Sequence, residues 1–151
     1  IVDAIIQLKD LTIVFPVHPR TKERLRAFDL HKKVQEQKHI KVIQPVSYHD
    51  TIKLIKNARM VFTDSGGMQK EAFWLHTPCI TLRTNTEWIE TVKLGANYLV
   101  GANTPQIIQI TNRILGREEI HGKLRKIPNP FGGGKASEKI IDVIKESLIK
   151  S

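Results

Sequence analysis

The sequence predicts an α/β fold built on a doubly wound parallel sheet, and three observations carry that expectation. Short apolar runs recur at residues 11–15, 40–43, 60–63, 79–82 and 98–100. They lack polar alternation, as parallel strands covered on both faces do. Segments of helical spacing lie between them, which implies βαβ units with right-handed crossovers.

Each element has its own warrant. Residues 21–37 carry Leu25, Phe28, Leu30 and Val34 at roughly helical spacing, and residues 48–57 carry Ile52, Leu54 and Ile55. Helical segments at 66–75 and 87–94 each precede a strand. Residues 104–115 open on Thr104-Pro105, read as a cap followed by proline at the first helical position. Residues 127–134 have no regular pattern, and 137–149 form a terminal helix with Ile140, Ile141, Ile144 and Leu148 on one face. With no internal repeat and no long linker, residues 1–151 are read as one domain.

Composition narrows the function classes. The 151 residues are 40% hydrophobic and 26% charged, a globular balance. No apolar run approaches the ~20 residues of a membrane span. One cysteine, Cys79, excludes an internal disulfide, which fits a cytoplasmic protein. Its apolar neighbours make it a small buried hydrophobe. The chain opens on Ile1 without an initiator Met or a charged leader, so a longer natural chain is expected.

The formal charge is +9. Such a balance suggests an anionic partner, whether nucleic acid, membrane surface or phosphorylated small molecule. The charges are spread along the chain, so a solvated basic surface or a missing acidic domain explains them as well. Aromatics are only 6% and do not interleave with basic residues, which argues against nucleic acid. Neither the six histidines nor Cys79 show metal-ligand spacing, and no metal is expected.

In doubly wound sheets, ligands bind outside the carboxyl ends of the strands. Four such places hold unusual chemistry. His18 lies between Pro16 and Pro19 after the first strand, where it is either a rigid donor to a phosphate or a structural loop histidine. The stretch Thr63-Asp64-Ser65-Gly66-Gly67 follows a strand and opens a helix. Its glycines, the Ser65 hydroxyl and the helix N-terminus make a phosphate cradle of a general kind, or a tight turn with a mere cap. Glu71, further up that helix, is either a ribose acceptor or a surface residue. Arg83 and Glu87 lie after residues 79–82 and are UDP-binding candidates; Arg83 is either an anion donor or part of a plain loop, in which Thr86 with Glu90 resembles a cap. Last, Gly132-Gly133-Gly134 reads as an anion-binding turn or a flexible joint.

Taken together, these blocks resemble the C-terminal domain of UDP-N-acetylglucosamine 2-epimerases. The resemblance runs from Phe15-Pro16-Val17-His18-Pro19-Arg20 through Asp64-Ser65-Gly66-Gly67-Met68-Gln69-Lys70-Glu71 and Thr81-Leu82-Arg83 to Asn129-Pro130-Phe131-Gly132-Gly133-Gly134. It implies a Rossmann-like domain, one half of a glycosyltransferase-B type two-domain fold, with the N-terminal half absent from this chain. It further implies that Ser65, Gly66 and Gly67 hold the diphosphate of a UDP-sugar, that Glu71 holds the ribose, and that His18 lies near the diphosphate and is needed for activity. The uracil would sit near residues 44–51. Two positions depart from the family pattern: Lys70 replaces an acidic residue, and Trp88 replaces an arginine that contributes to the active site. Both point to a subgroup that includes epimerases of more modified UDP-sugars.

The reaction implied is inversion at C2 without NAD or any other cofactor, by elimination of UDP and its re-addition to the other face. The carboxylates for proton transfer would come from the N-terminal domain, so the isolated chain is expected to be inactive. A homodimer is compatible with this reading. The alternatives are a glycosyltransferase using a nucleotide sugar and a non-enzymatic nucleic-acid-binding domain.

Overall fold

In the computed structural model, residues 1–117 and 119–149 are described. Five parallel strands alternate with helices. Strands β1 (Ile13–Pro16) and β2 (Ile40–Ile43) pair with Ile13 opposite Ile40. Strands β3 (Val61–Thr63), β4 (Cys79–Thr81) and β5 (Asn97–Leu99) form a second parallel ladder in the order β3-β4-β5. The expected α/β class with parallel strands is therefore present, with the strands divided between two ladders.

The two ladders differ in cover. All of β4 is buried, because it has strand partners on both edges and helices packed against it as well. β1 alternates half-buried and exposed, and Val14 and Val42 are exposed. Only one face of that ladder meets helices: α1 (Val2–Gln7), α2 (Pro19–Ala27) and α3 (Leu30–Gln35) pack Ile5, Leu25 and Val34 against Ile40. The larger core lies beside β4, where Ile80, Val100, Ile107 and Ile114 are buried together.

The helix expected over 21–37 is two helices. Asp29 takes φ 53, a left-handed conformation that interrupts the helical hydrogen bonds between α2 and α3. Helix α4 (Tyr48–Asn57) is capped by Ser47, whose side chain accepts from the Asp50 amide. Helix α7 (Thr104–Leu115) has the expected span, but Asn103 rather than Thr104 is its cap, which puts Pro105 at the second helical position. Two short helices were not legible in the sequence: α1 and α8 (Ile120–Arg125). The last helix, α9 (Ala136–Ile149), presents Ile140, Ile141, Val143, Ile144 and Leu148 to solvent. No helix among the described residues is long and apolar enough to cross a membrane.

Candidate functional site

The site is built where β3 ends and α5 (Gly66–Trp74) begins. The Thr63 hydroxyl accepts from the Ser65 amide at 3.0 Å, which turns the chain out of the strand. Ser65 then caps the helix, its hydroxyl accepting from the Met68 amide at 3.4 Å. The amides of Gly66 and Gly67 remain as first-turn donors without an intrahelical acceptor. Ser65 and Gly67 are exposed and Gly66 is half-buried, so those donors are open to an anion.

The segment after β4 forms the second wall. Arg83 donates to the Glu87 carboxylate at 3.0 Å and to the Asn85 side chain at 3.2 Å. The other Glu87 oxygen lies 3.2 Å from where a Cβ on Gly66 would stand. Five predicted residues, Ser65, Gly66, Gly67, Arg83 and Glu87, thus meet in one place. The Glu87 carboxyl is held below its ordinary value by its own backbone N–H and by Arg83. A carboxylate at this turn would oppose a bound anion, and the Arg83 charge offsets that of Glu87.

Gly66 is not required by backbone conformation. The glycines at positive φ are Gly95, Gly101, Gly132 and Gly134. What Gly66 supplies is space against Glu87 and Trp88. The expected capping pair of Thr86 and Glu90 does not form. Thr86 instead donates to Gln69 at 2.6 Å and accepts from the Trp88 amide, and α6 (Ile89–Lys93) starts without a side-chain cap. The extra residue in the spacing leaves the Thr86 hydroxyl outside the first turn.

Beneath the cradle lies a buried polar network that the residue-by-residue reading missed. Gln69 is 0% exposed, and its carbonyl oxygen accepts from Thr86 and from the Asn97 amide at 3.0 Å. Asn97 in turn accepts from the Thr81 hydroxyl at 2.7 Å. These bonds fasten α5 to β4 and β5 through side chains. A signal existed: Gln69, Ala72 and Phe73 share one helical face at spacings of three and four, which places Gln69 among core positions.

Lys70 and Trp88, which the resemblance sets apart, touch each other. The Lys70 ammonium lies 4.2 Å from the Trp88 ring centre, 4.6 Å from that of Phe131 and 5.0 Å from that of Trp74. The Trp88 indole N–H donates to the Gly66 carbonyl at 2.8 Å. The glycine loop is not a featureless joint, since Asn129 accepts from the Phe131 amide and donates to the Gly132 carbonyl.

The remaining predicted residues stand apart. Glu71 lies half-buried four residues after Gly67, on the same face of α5, and among the described residues it has no salt-bridge partner. His18 is exposed and caps α2, its Nδ1 accepting from the Arg20 amide at 3.3 Å. In the neutral ring this leaves the proton on Nε2, as a donor facing solvent. Among the described residues, no hydrogen bond joins His18 to the α5 turn.

Parallel strands alternating with helices define an α/β domain of the Rossmann-like class, with a Ser-capped helix opening after β3. The family profile described as UDP-N-acetylglucosamine 2-epimerase matches residues 1–145, and the chain belongs to that family. It is 46% identical over 140 residues to the UDP-N-acetylglucosamine 2-epimerase of Methanocaldococcus jannaschii, covering 93% of this chain and 37% of that protein. It is 40% identical over 140 residues to a UDP-2,3-diacetamido-2,3-dideoxy-D-glucuronate 2-epimerase of Pseudomonas aeruginosa, covering 92% of this chain and 36% of that protein. The crystal structure of the M. jannaschii enzyme in complex with UDP-GlcNAc and UDP superposes with a TM-score of 0.81 at 46% identity, over 94% of this chain and 38% of that one. The Neisseria meningitidis enzyme bound to UDP-GlcNAc superposes with a TM-score of 0.74 at 31% identity, over 99% of this chain and 40% of that one. The chain thus spans between about a third and two fifths of the length of these relatives.

Proposed function

We propose that this chain is the UDP-binding C-terminal half of a UDP-sugar 2-epimerase acting on UDP-N-acetylglucosamine or a related UDP-2-acetamido sugar. The observation that carries the reading is the Ser65-capped start of α5, with the Gly66 and Gly67 amides open beside Arg83. The reaction breaks the C1–O bond with departure of UDP and loss of the C2 proton, then re-adds UDP with a proton delivered to the other face. In this division of labour the chain receives the leaving diphosphate. Fixed amides, the helix dipole and the Ser65 hydroxyl stabilise its charge without reorganising. Glu71 accepts from the ribose hydroxyls, and His18 donates from Nε2 to a phosphate oxygen.

The proton-transferring carboxylates belong to an N-terminal domain. The exposed apolar face of α9 supports a further covering surface of that kind. A cytoplasmic location and a homodimer of the complete enzyme complete the reading. Titration of UDP into the chain, beside an assay of UDP-N-acetylglucosamine turnover, tests it. Weak UDP binding without turnover is expected. Turnover by this chain alone would refute the division of labour. Salt-dependent RNA binding without UDP binding would replace the reading with a nucleic-acid-binding one.

A further inference from the structure

Lys70 sits on the second turn of α5, and among the described residues no carboxylate pairs with it. Its ammonium faces three aromatic rings at 4.2–5.0 Å, all inside the range of cation–π attraction. The rings come from three segments. Trp74 lies four residues on along the same helix, Trp88 follows β4, and Phe131 lies in the loop before α9. Phe131 stands edge to face with Phe73, Trp74 and Trp88 at 5.6–6.4 Å, so its ring is the hub of the cluster. The Trp88 ring leads away from that hub, because its indole N–H bonds the Gly66 carbonyl.

We propose that Lys70 is a positioning residue: it holds the Trp88 indole on the Gly66 carbonyl and fastens the 128–134 loop to the phosphate cradle. Lys70 is half-buried, which strengthens its attraction to the rings relative to a fully solvated pair. With the cation and the Phe131 ring both packed against it, the indole keeps its N–H aimed at the first peptide of α5. The Gly66 and Gly67 amides are thereby fixed before a diphosphate arrives, and the loop cannot swing without breaking the aromatic hub. The effect on ligand rests on the UDP-binding reading; the effect on the indole does not.

The test uses the full chain. Indole N–H exchange is followed by NMR, with the two tryptophan signals assigned through W74F and W88F. K70M keeps the aliphatic stem and removes the charge. K70R keeps the charge. F131L removes the hub ring and leaves Lys70 in place. The Trp88 indole should exchange about tenfold faster in K70M and F131L, the fold-change of a lost contact of this class, and within about twofold of the parent in K70R. UDP affinity should fall in the same order. Unchanged exchange in K70M and F131L overturns the proposal. So does weakened UDP binding in K70M beside parent-like binding in F131L, which would make Lys70 a direct phosphate contact. If K70M does not fold, F131L and K70Q carry the same comparison. If the parent binds no UDP, the nucleotide reading fails, while the exchange measurement still decides the role of Lys70.

Discussion

The Trp88 indole N–H donates to the Gly66 carbonyl across 2.8 Å, and the same stretch of chain sets a Glu87 oxygen 3.2 Å from the position a Gly66 side chain would take. The segment after β4 is therefore the wall of the α5 turn, and the absence of a side chain at Gly66 is what lets the two meet. Replacing Gly66 by Val should push the Glu87 carboxylate off Arg83 and fill the space an anion would enter. Circular dichroism should show the fold retained, because Glu87 is exposed and can move. Calorimetry should show UDP and pyrophosphate binding abolished. Ser65→Ala should be milder, at about 1 kcal/mol for one hydroxyl bond. A folded Gly66→Val that binds UDP like the parent would return the turn to a purely structural role.

Glu71 has no salt-bridge partner among the described residues and lies on the Gly67 face of α5. Glu71→Ala should weaken UDP by about 1–3 kcal/mol, the size of a charge-assisted bond to ribose, and leave pyrophosphate unchanged or slightly tighter. Equal losses for both ligands would place Glu71 away from the ribose.

Gln69 accepts from the half-buried Thr86 hydroxyl and from the buried Asn97 amide. Gln69→Leu keeps the volume and strands the Thr86 hydroxyl, while the Asn97 amide keeps its bond to Thr91 and the buried Gln69 Nε2, unpartnered among the described residues, is removed. It should cost about 1–3 kcal/mol in urea unfolding, the size of one group left unsatisfied. A cost below 1 kcal/mol would mean that the network does not fasten α5 to the sheet.

Burial pushes the Cys79 thiol up from 9.0 to about 11, with its Thr81 contact opposing the shift. The folded state therefore favours the neutral thiol. That contribution is complete below pH 9 and is lost as pH rises toward about 11, because the unfolded chain releases the proton first. The stability difference between the parent and Cys79→Ala should shrink across that window in urea titrations. Native thiol labelling at pH 9 should be far slower than in urea. Equal labelling rates would show Cys79 to be accessible.

Much of this was legible in the sequence, and the reasons are local. The spans of α4 and α7 match their expected bounds because apolar spacing and flanking cap residues agree there. The strand-to-helix turn at Ser65-Gly66-Gly67 was legible because it follows an apolar run, a purely sequential cue. Asp29 was not legible as a break, since the residues either side keep helical spacing and only its backbone angle departs. The partners of Trp88 were not legible either. Gly66 precedes it by 22 residues and Phe131 follows it by more than forty, and no periodicity links positions brought together by the sheet. The same holds for Gln69 and Asn97, which meet across 28 residues.

Helix α9 offers copies of this chain an apolar surface on which to meet. Its five exposed aliphatic side chains are 50–72% open to solvent and run along one rod of 14 residues. Two such rods can shield each other without involving α5 or any nucleotide. Self-association of the chain would then rise with concentration and ignore added UDP. A dimer of the chain that is insensitive to UDP in sedimentation would point to this stripe.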